Sequence, residues 1–477
     1  MGMLHTLRRA AACIAIGALA MTAPTAYAQQ ERAIEDESIY DLLVDRFFNG
    51  TIVNDEQVDT QNPASFAGGD FAGLAEKVSY IQSLGFTTAA IGSVFATDTY
   101  DGYMVTSYTE LEPHFGTQQE LQHVVETFHK KQIRVMPDVR LNRVSANHEW
   151  LAQHPTWGTV VDNVVQWDYT NAQFVAALRE AIVQFQQTYE FGALRFTETT
   201  NVPAPVLNDI IAALRDVTPN IQIVSNEATT AQVDAALNEA HVDVWSRMFA
   251  QPSQPTSELA QLVTSQASVA AVDTLTSPRL THKAAEANVF PPTRIKVAMG
   301  ALLTMPVVPM MTYGTEISMN GATAAQSHQI QNFKVDEEII SYIADVQTVR
   351  NKSAALRTGA FELLHEQDGF IVFTRSNDEE TWVVAINNTG ETQNYAVPAS
   401  MFHESKELHG LFEKDIVRVD EQGQYNLVVD REIVELYQVK EEKGFNVAYM
   451  GVMAFVYVIF IAFIWLLIRR AKRPTAT

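Results

Sequence analysis

The chain has 477 residues, 47% hydrophobic and 19% charged, a balance that excludes both a disordered chain and a polytopic membrane protein. Its 56 acidic residues outweigh 33 basic ones and leave a net charge of -23, which argues against nucleic-acid binding, a function that needs a basic face. The one cysteine, Cys13, excludes an internal disulfide and a zinc site built on thiolates.

Residues 1–28 read as a secretory signal. Arg8 and Arg9 give a positive start, Ala10 to Met21 an apolar stretch, and Ala26-Tyr27-Ala28 a small-x-small cleavage site. From there strand and helix patterns alternate. Strands are expected at Ile39–Val44, Thr87–Gly92, Ile133–Asp138, Leu194–Thr197, Ile221–Ser225, Val242–Trp245, Val269–Asp273 and Val307–Thr312. The helices between them include Gly73–Leu84, Gln118–Lys131, Asn171–Tyr189 and Val206–Val217. Eight strand-helix units in about 320 residues are the arithmetic of a (β/α)8 TIM barrel in the α/β class, with a short insert at about 143–170. The rival, a doubly wound open sheet, lacks a glycine-rich phosphate loop after the first strand.

Past residue 356 the pattern changes to strand-like runs through about residue 440, including Phe361–Leu364, Phe370–Arg375, Thr381–Asn387, Gln393–Val397, Tyr425–Val429 and Ile433–Val439. Turn residues between them point to an all-β domain, expected as a β-sandwich. Phe445 to Ile468 then runs 24 residues without a charge, about 36 Å as a helix, enough to cross a bilayer. Arg469, Arg470, Lys472 and Arg473 follow and mark a cytoplasmic side. The expected topology is a body outside the cell, one membrane anchor and a short basic tail, residues 469–477, inside. Without the signal and tail bases the body carries 27 basic against 56 acidic residues, near -29. Such a surface stays soluble and repels anionic polymers.

Several motifs in order carry a family resemblance. Val44-Asp45-Arg46-Phe47 ends the first strand, and Gly69-Asp70-Phe71-x-Gly73-Leu74 follows. Tyr100-x-Gly102-Tyr103, Pro113-His114-Phe115-Gly116-Thr117 and the eighth-strand segment Leu302-Leu303-Thr304-Met305-Pro306 to Tyr313-Gly314-x-Glu316 complete the set. Over residues 39 to about 439 the chain resembles the α-amylase family, glycoside hydrolase family 13. The resemblance implies a retaining glycosidase fold, whose chemistry needs two carboxylates about 5 Å apart. The family adds a third carboxylate and three substrate-gripping histidines.

Most of that set is missing. Arg195-Phe196-Thr197 puts Thr197 at the nucleophile position, and Thr276 stands at the third carboxylate position. Glu227 retains the acid/base position, while Asp101 and Arg143 replace two of the histidines. Arg195, Tyr103 and Asp101 remain as substrate-binding positions, with Arg195 and Asp138 also able to pair inside the barrel. Two carboxylates offer rescue: Glu198, which strand alternation points away from the barrel interior, and Asp273, three positions early. Calcium is the cofactor the resemblance implies, at Asn142 with Asp162 or Asp168, and at a loop holding Asn54 and Asp55. Aromatic residues Tyr100, Tyr103, Trp150, Trp157 and Trp167 fall in loops over the barrel mouth, where such rings stack on sugars or form loop core.

The expectation is a pseudoenzyme of the cell membrane that binds an α-glucan, another glycan or a membrane protein partner. The alternative is an active α-glucan hydrolase or glucanotransferase using Glu227 and a displaced carboxylate.

Overall fold

The computed structural model describes residues 32–471, apart from 264–267, 336, 403–405 and 443–446. The signal expected at 1–28 and the tail residues 472–477 lie outside the described residues. Eight parallel strands close into a barrel: β1 (Ile39–Asp41), β2 (Thr88–Gly92), β3 (Arg134–Arg140), β4 (Ala193–Thr197), β5 (Gln222–Ser225), β6 (Ala235–Leu237), β7 (Ser268–Ala270) and β8 (Val308–Thr312). Each strand pairs with its sequence neighbours, and β8 closes onto β1 through Ile39 opposite Met310.

Alternation along the strands sorts the side chains into two layers. Ile39, Ala90, Met136, Ala193, Val224 and Val269 fill the barrel interior. Tyr40, Ala89, Val135, Leu194, Phe196 and Ile223 face the surrounding helices. Those helices carry ordinary start signals. Thr117 and Glu120 form a reciprocal capping box ahead of helix Gln118–Lys130, and the Asn171 side chain caps helix Ala172–Tyr189.

Three segments depart from the expected elements. The first strand stops at Asp41, and Val44–Phe47, expected at its end, is a single helical turn. Val242–Trp245 is helical, inside Glu239–Ala250, and the sixth strand lies earlier, at Ala235–Leu237. The Val-Asp-Val-Trp run alternates like a strand, but Val242, Trp245 and Phe249 bury one helical face and Asn238 caps the helix start. The expected helix Gly73–Leu84 is two helices, Phe71–Glu76 and Val78–Leu84, that meet at Lys77. Between β3 and β4 the insert forms a three-stranded sheet of Val144–Ser145, Val164–Trp167 and Gly158–Val161.

Beyond the barrel the chain is all β, with a six-stranded sheet and a two-stranded sheet. The large sheet contains β9 (Ala360–Gln367), β10 (Phe370–Ser376), β11 (Thr381–Asn387), β13 (Lys406–Gly410), β14 (Ile416–Val417) and β16 (Ile433–Glu441). The small sheet pairs β12 (Gln393–Pro398) with β15 (Gln424–Val429). Phe370, Val372, Val383, Ala385 and Tyr437 pack against Val397, Leu427 and Val429 of the small sheet. On the opposite face Ile371, Phe373, Val384, Ile386, Val434 and Leu436 join the barrel's outer core. Gly300, on helix Pro291–Thr304, lets this face come close: a Cβ there would lie 2.4 Å from the Tyr342 hydroxyl and 2.9 Å from a Val434 methyl.

The last element is helix Val447–Ala471. Its stretch Tyr449–Arg470, 22 residues whose most apolar 18-residue window has a mean hydropathy of 2.8, is long and apolar enough to cross a membrane, and none of that window is buried among the described residues.

Candidate functional site

The C-terminal ends of β3, β4, β5 and β7 converge on a polar cleft of about 240 Å³, lined by Asp41, Tyr103, Asp138, Arg140, Arg195, Thr197, Glu198, Asn226, Glu227, Leu237, Glu239, Thr274, Leu275 and Thr276. Its volume falls below the usual range of about 300–1,000 Å³ for a small-molecule site.

At its floor, β4 alternation turns Ala193, Arg195 and Thr197 inward. Asp138 lies opposite Arg195 in the β3–β4 register. Arg195 Nε donates to Asp138 Oδ1 at 2.6 Å, and Nη2 donates to Asp138 Oδ2 at 2.9 Å and to Asp41 Oδ1 at 2.8 Å. All three side chains are buried. The guanidinium is thus occupied by two carboxylates.

One step further the alternation breaks. Glu198 has φ +58°, in the left-handed region, and this swings its side chain back into the cleft beside Thr197. The expectation that Glu198 points away from the interior is therefore corrected. Arg140 Nη2 donates to Glu198 Oε1 at 2.8 Å, and Arg143 Nε stands 3.5 Å from Oε2. Burial pushes the Glu198 carboxyl above its usual range. Arg140 pulls it back, Glu227 raises it by repulsion, and Arg143 lowers it. The two glutamates share one cleft and sense each other's charge.

Glu227 is held by the turn after β4. Its Oε2 accepts from the Thr200 hydroxyl at 2.6 Å, the Thr200 N–H at 2.8 Å and the Thr199 hydroxyl at 3.3 Å. Thr276 sits across the cleft, its hydroxyl 3.2 Å from that of Thr274. Asp273 is no substitute for a missing carboxylate. It is buried, bonded to the Leu280 N–H at 2.8 Å and paired with Arg279 at 3.4 Å.

Of the binding positions, Tyr103 lines the cleft, with the Arg140 guanidinium 5.1 Å from its ring centre. Asp101 serves the turn before it, accepting from the Thr99 hydroxyl at 2.6 Å and the Tyr103 N–H at 3.1 Å. Tyr100, Trp150, Trp157 and Trp167 are buried, and the three tryptophans pack against Phe174 as loop core. Arg140 escaped the sequence reading, although strand alternation from Asp138 already turns it inward.

The two calcium positions differ. Asn142 Oδ1 accepts the Arg143 N–H at 3.0 Å and the Trp167 N–H at 3.1 Å, so its oxygen is used by the backbone. Asp162 and Asp168 are exposed, and Asp168 is turned to Thr170. This set does not fit a cation. At the early loop, Asn54 Oδ1 is buried without a hydrogen-bond partner, while its Nδ2 donates to the His114 carbonyl. Asp55 accepts from Asn49 at 2.9 and 3.0 Å. That oxygen-rich loop fits a hard cation in its donor chemistry, although among the described residues no three His, Cys, Asp or Glu side chains converge as a metal centre.

A closed eight-stranded barrel with a carboxylate-lined cleft at its strand ends and a β domain after it defines a glycoside hydrolase fold. Comparison with known proteins makes the family definite. Residues 41–185 match the model of the α-amylase catalytic domain, and residues 359–437 match that of the α-amylase C-terminal domain. An Anoxybacillus α-amylase structure superposes with a TM-score of 0.83 at 27% identity, over 87% of this chain and all of that one. A Geobacillus thermoleovorans α-amylase solved with acarbose gives 0.81 at 28% identity, over 86% of this chain and all of that one. The β/α-amylase of Paenibacillus polymyxa is 24% identical over 408 residues, 75% of this chain; the chain spans only 34% of that protein's length. The cyclomaltodextrinase of Geobacillus thermopakistaniensis is 22% identical over 421 residues, 76% of this chain and 71% of the relative. The chain belongs to the α-amylase family, glycoside hydrolase family 13.

Proposed function

We propose that this chain is a membrane-anchored α-amylase-family pseudoenzyme that binds an α-glucan in its barrel cleft without hydrolysing it. One observation carries the reading. The nucleophile position is Thr197, and the neighbouring carboxylate, Glu198, is ion-paired with Arg140 and Arg143. A hydroxyl without a base does not form the glycosyl intermediate, and a carboxylate held by two guanidiniums is a weakened nucleophile. Glu227, Tyr103 and Thr276 then serve as hydrogen-bonding and stacking groups for the sugar. Helix Val447–Ala471 anchors the body outside the cell, with Arg469 and Arg470 at the cytoplasmic side. Calcium at the Asn54 and Asp55 loop belongs to the same proposal, as a structural ion remote from the chemistry.

A second reading has its own support, the left-handed turn at Glu198 that brings a second carboxylate beside Glu227. In that reading Glu198 bonds to the anomeric carbon as the glycosidic C–O bond breaks and Glu227 protonates the leaving oxygen. Water, or a sugar hydroxyl, then releases the glycosyl group and returns the proton to Glu227.

Binding and hydrolysis of a maltooligosaccharide panel, measured side by side on the purified protein, separate the two. Binding without turnover is the expected result. Turnover abolished in both Glu198→Gln and Glu227→Gln establishes the second reading. Absence of both binding and turnover leaves a protein partner as the ligand and overturns the glucan assignment.

A further inference from the structure

The strand that leads to the apolar C-terminal helix ends on the opposite side of the body from the cleft. Strand β16 runs from Ile433 to Glu441 and leads toward the helix start at Val447. Its register locates its end: Gln438 lies opposite Trp382 on β11, Thr381 opposite Ser376 on β10, and Ser376 opposite Ala360 at the start of β9.

That end of the sheet is fastened to the barrel face where the strands begin. Arg375 Nη1 donates to the Thr304 carbonyl at 2.9 Å, just before β8, and Nη2 to the Gly359 carbonyl at 3.2 Å. Arg357 Nε donates to Asp36 at 2.7 Å, just before β1. Asn351 Nδ2 donates to the Gly85 carbonyl at 2.7 Å, just before β2. The cleft, by contrast, is built where the strands finish, at Asp138, Arg140, Thr197 and Asn226.

We infer that the cleft opens away from the bilayer and takes a glycan presented from the aqueous side, such as a soluble or wall-borne polysaccharide, rather than the sugar headgroup of a lipid in the same membrane. The inference rests on the membrane-spanning reading of helix Val447–Ala471. Chain length enforces it. Five residues, 442–446, separate Glu441 from Val447, six chain steps that span at most about 22 Å when fully extended. The barrel's flanking helices of 12–18 residues are about 18–27 Å long, and the insert follows the cleft end of β3. Turning the cleft mouth onto the bilayer would hold Glu441 at or past the full reach of its own tether.

Fluorescence energy transfer to the membrane tests this with the full chain. A donor dye goes on one of two exposed positions in a Cys13→Ser background: Asp378→Cys, in the β10–β11 turn at the tether end, or Thr230→Cys, in the loop after β5 at the cleft end. The labelled chain is reconstituted into phosphatidylcholine vesicles holding a small fraction of acceptor-labelled lipid. Transfer severalfold higher from position 378 than from 230 is the expected result. Equal transfer, or more from 230, in protein that floats with the vesicles overturns the orientation while leaving the anchor intact. Protein that fails to float overturns the anchor and this inference together. The ligand's identity affects neither readout.

Discussion

Arg140 and Glu198 meet at 2.8 Å across the cleft, although regular strand alternation would set their side chains on opposite sides of the barrel wall. The β3–β4 register pairs Arg140 with Thr197, so the guanidinium reaches one residue past its partner and finds a carboxylate turned back by a left-handed backbone. In the proposed function this contact closes off the chemistry that the glutamate's position offers. Both side chains are partly exposed, and such pairs contribute up to about 1 kcal/mol. Glu198→Gln is therefore expected to change unfolding stability by less than about 1 kcal/mol in urea titrations, and to keep maltooligosaccharide affinity within about twofold. A loss of sugar turnover in this variant would instead identify Glu198 as the nucleophile.

Arg195 belongs to a different regime. It is 3% exposed, and its one guanidinium bridges two carboxylates, Asp41 and Asp138. Removing one member of such a buried group leaves charge stranded in a poorly solvated interior. Arg195→Met is expected to destabilise the protein by about 3–5 kcal/mol, read as a lower denaturant midpoint with an unchanged slope. Adding Asp138→Asn should recover part of that loss, because it removes one of the stranded carboxylates. Failure of the second substitution to recover stability would mean that the loss comes from packing.

His148 makes the insert sensitive to acid. Its Nδ1 accepts the Trp150 N–H at 3.2 Å, and its ring packs among Tyr108, Trp150 and Trp167. Burial lowers it to about 4 from the ordinary 6.5. Between those values the unfolded chain binds the proton more readily than the folded one. Stability from this group is whole above pH 6.5 and drains away as pH falls toward 4, by about 3 kcal/mol. His148→Asn keeps a cap acceptor and cannot take the proton. Its stability should fall less steeply than the parent's between pH 6.5 and 4, measured by denaturant titration at each pH.

These three positions also mark what a sequence can disclose. The barrel is legible because buried parallel strands and amphipathic helices leave different periods, and the inward positions Asp138, Arg195 and Thr197 follow from a two-residue repeat. Glu227 was legible only through the family resemblance, which carries a glutamate after the fifth strand. Glu198 was misread because one left-handed dihedral reverses a side chain, and nothing in Thr197-Glu198-Thr199 announces it. Val242–Trp245 was misread because one turn of helix with Asp243 between apolar residues also satisfies strand alternation. The tryptophans over the mouth were visible as residues, but their burial against Phe174 depends on how the insert folds, which is a tertiary fact.

Calcium at the early loop bears on stability more than on the cleft. The early loop brings Asn49 and Asp55 together near the backbone of Gly68, and the neighbouring Asn54 reaches the His114 carbonyl. Asp70 is close enough that the Asp55 charge raises it, yet its oxygens already accept from Gly50, Thr51 and Gly73 N–H groups. A hard cation would therefore draw on the Asp55 carboxylate and the unpartnered Asn54 oxygen, in competition with the Asn49 amide. A site completed by so few protein oxygens needs water in its remaining positions, which favours calcium's loose coordination over magnesium's strict octahedron. At one hundred times its dissociation constant such an ion stabilises the folded state by about 2.7 kcal/mol. Millimolar calcium is expected to raise the melting temperature over that in a chelator, magnesium to do so far less, and Asn54→Ala with Asp55→Ala to abolish the difference while the chelated melting temperatures stay close. If parent and double variant respond equally to calcium, the ion acts elsewhere and this loop is an ordinary polar turn held by the Asn49–Asp55 hydrogen bonds.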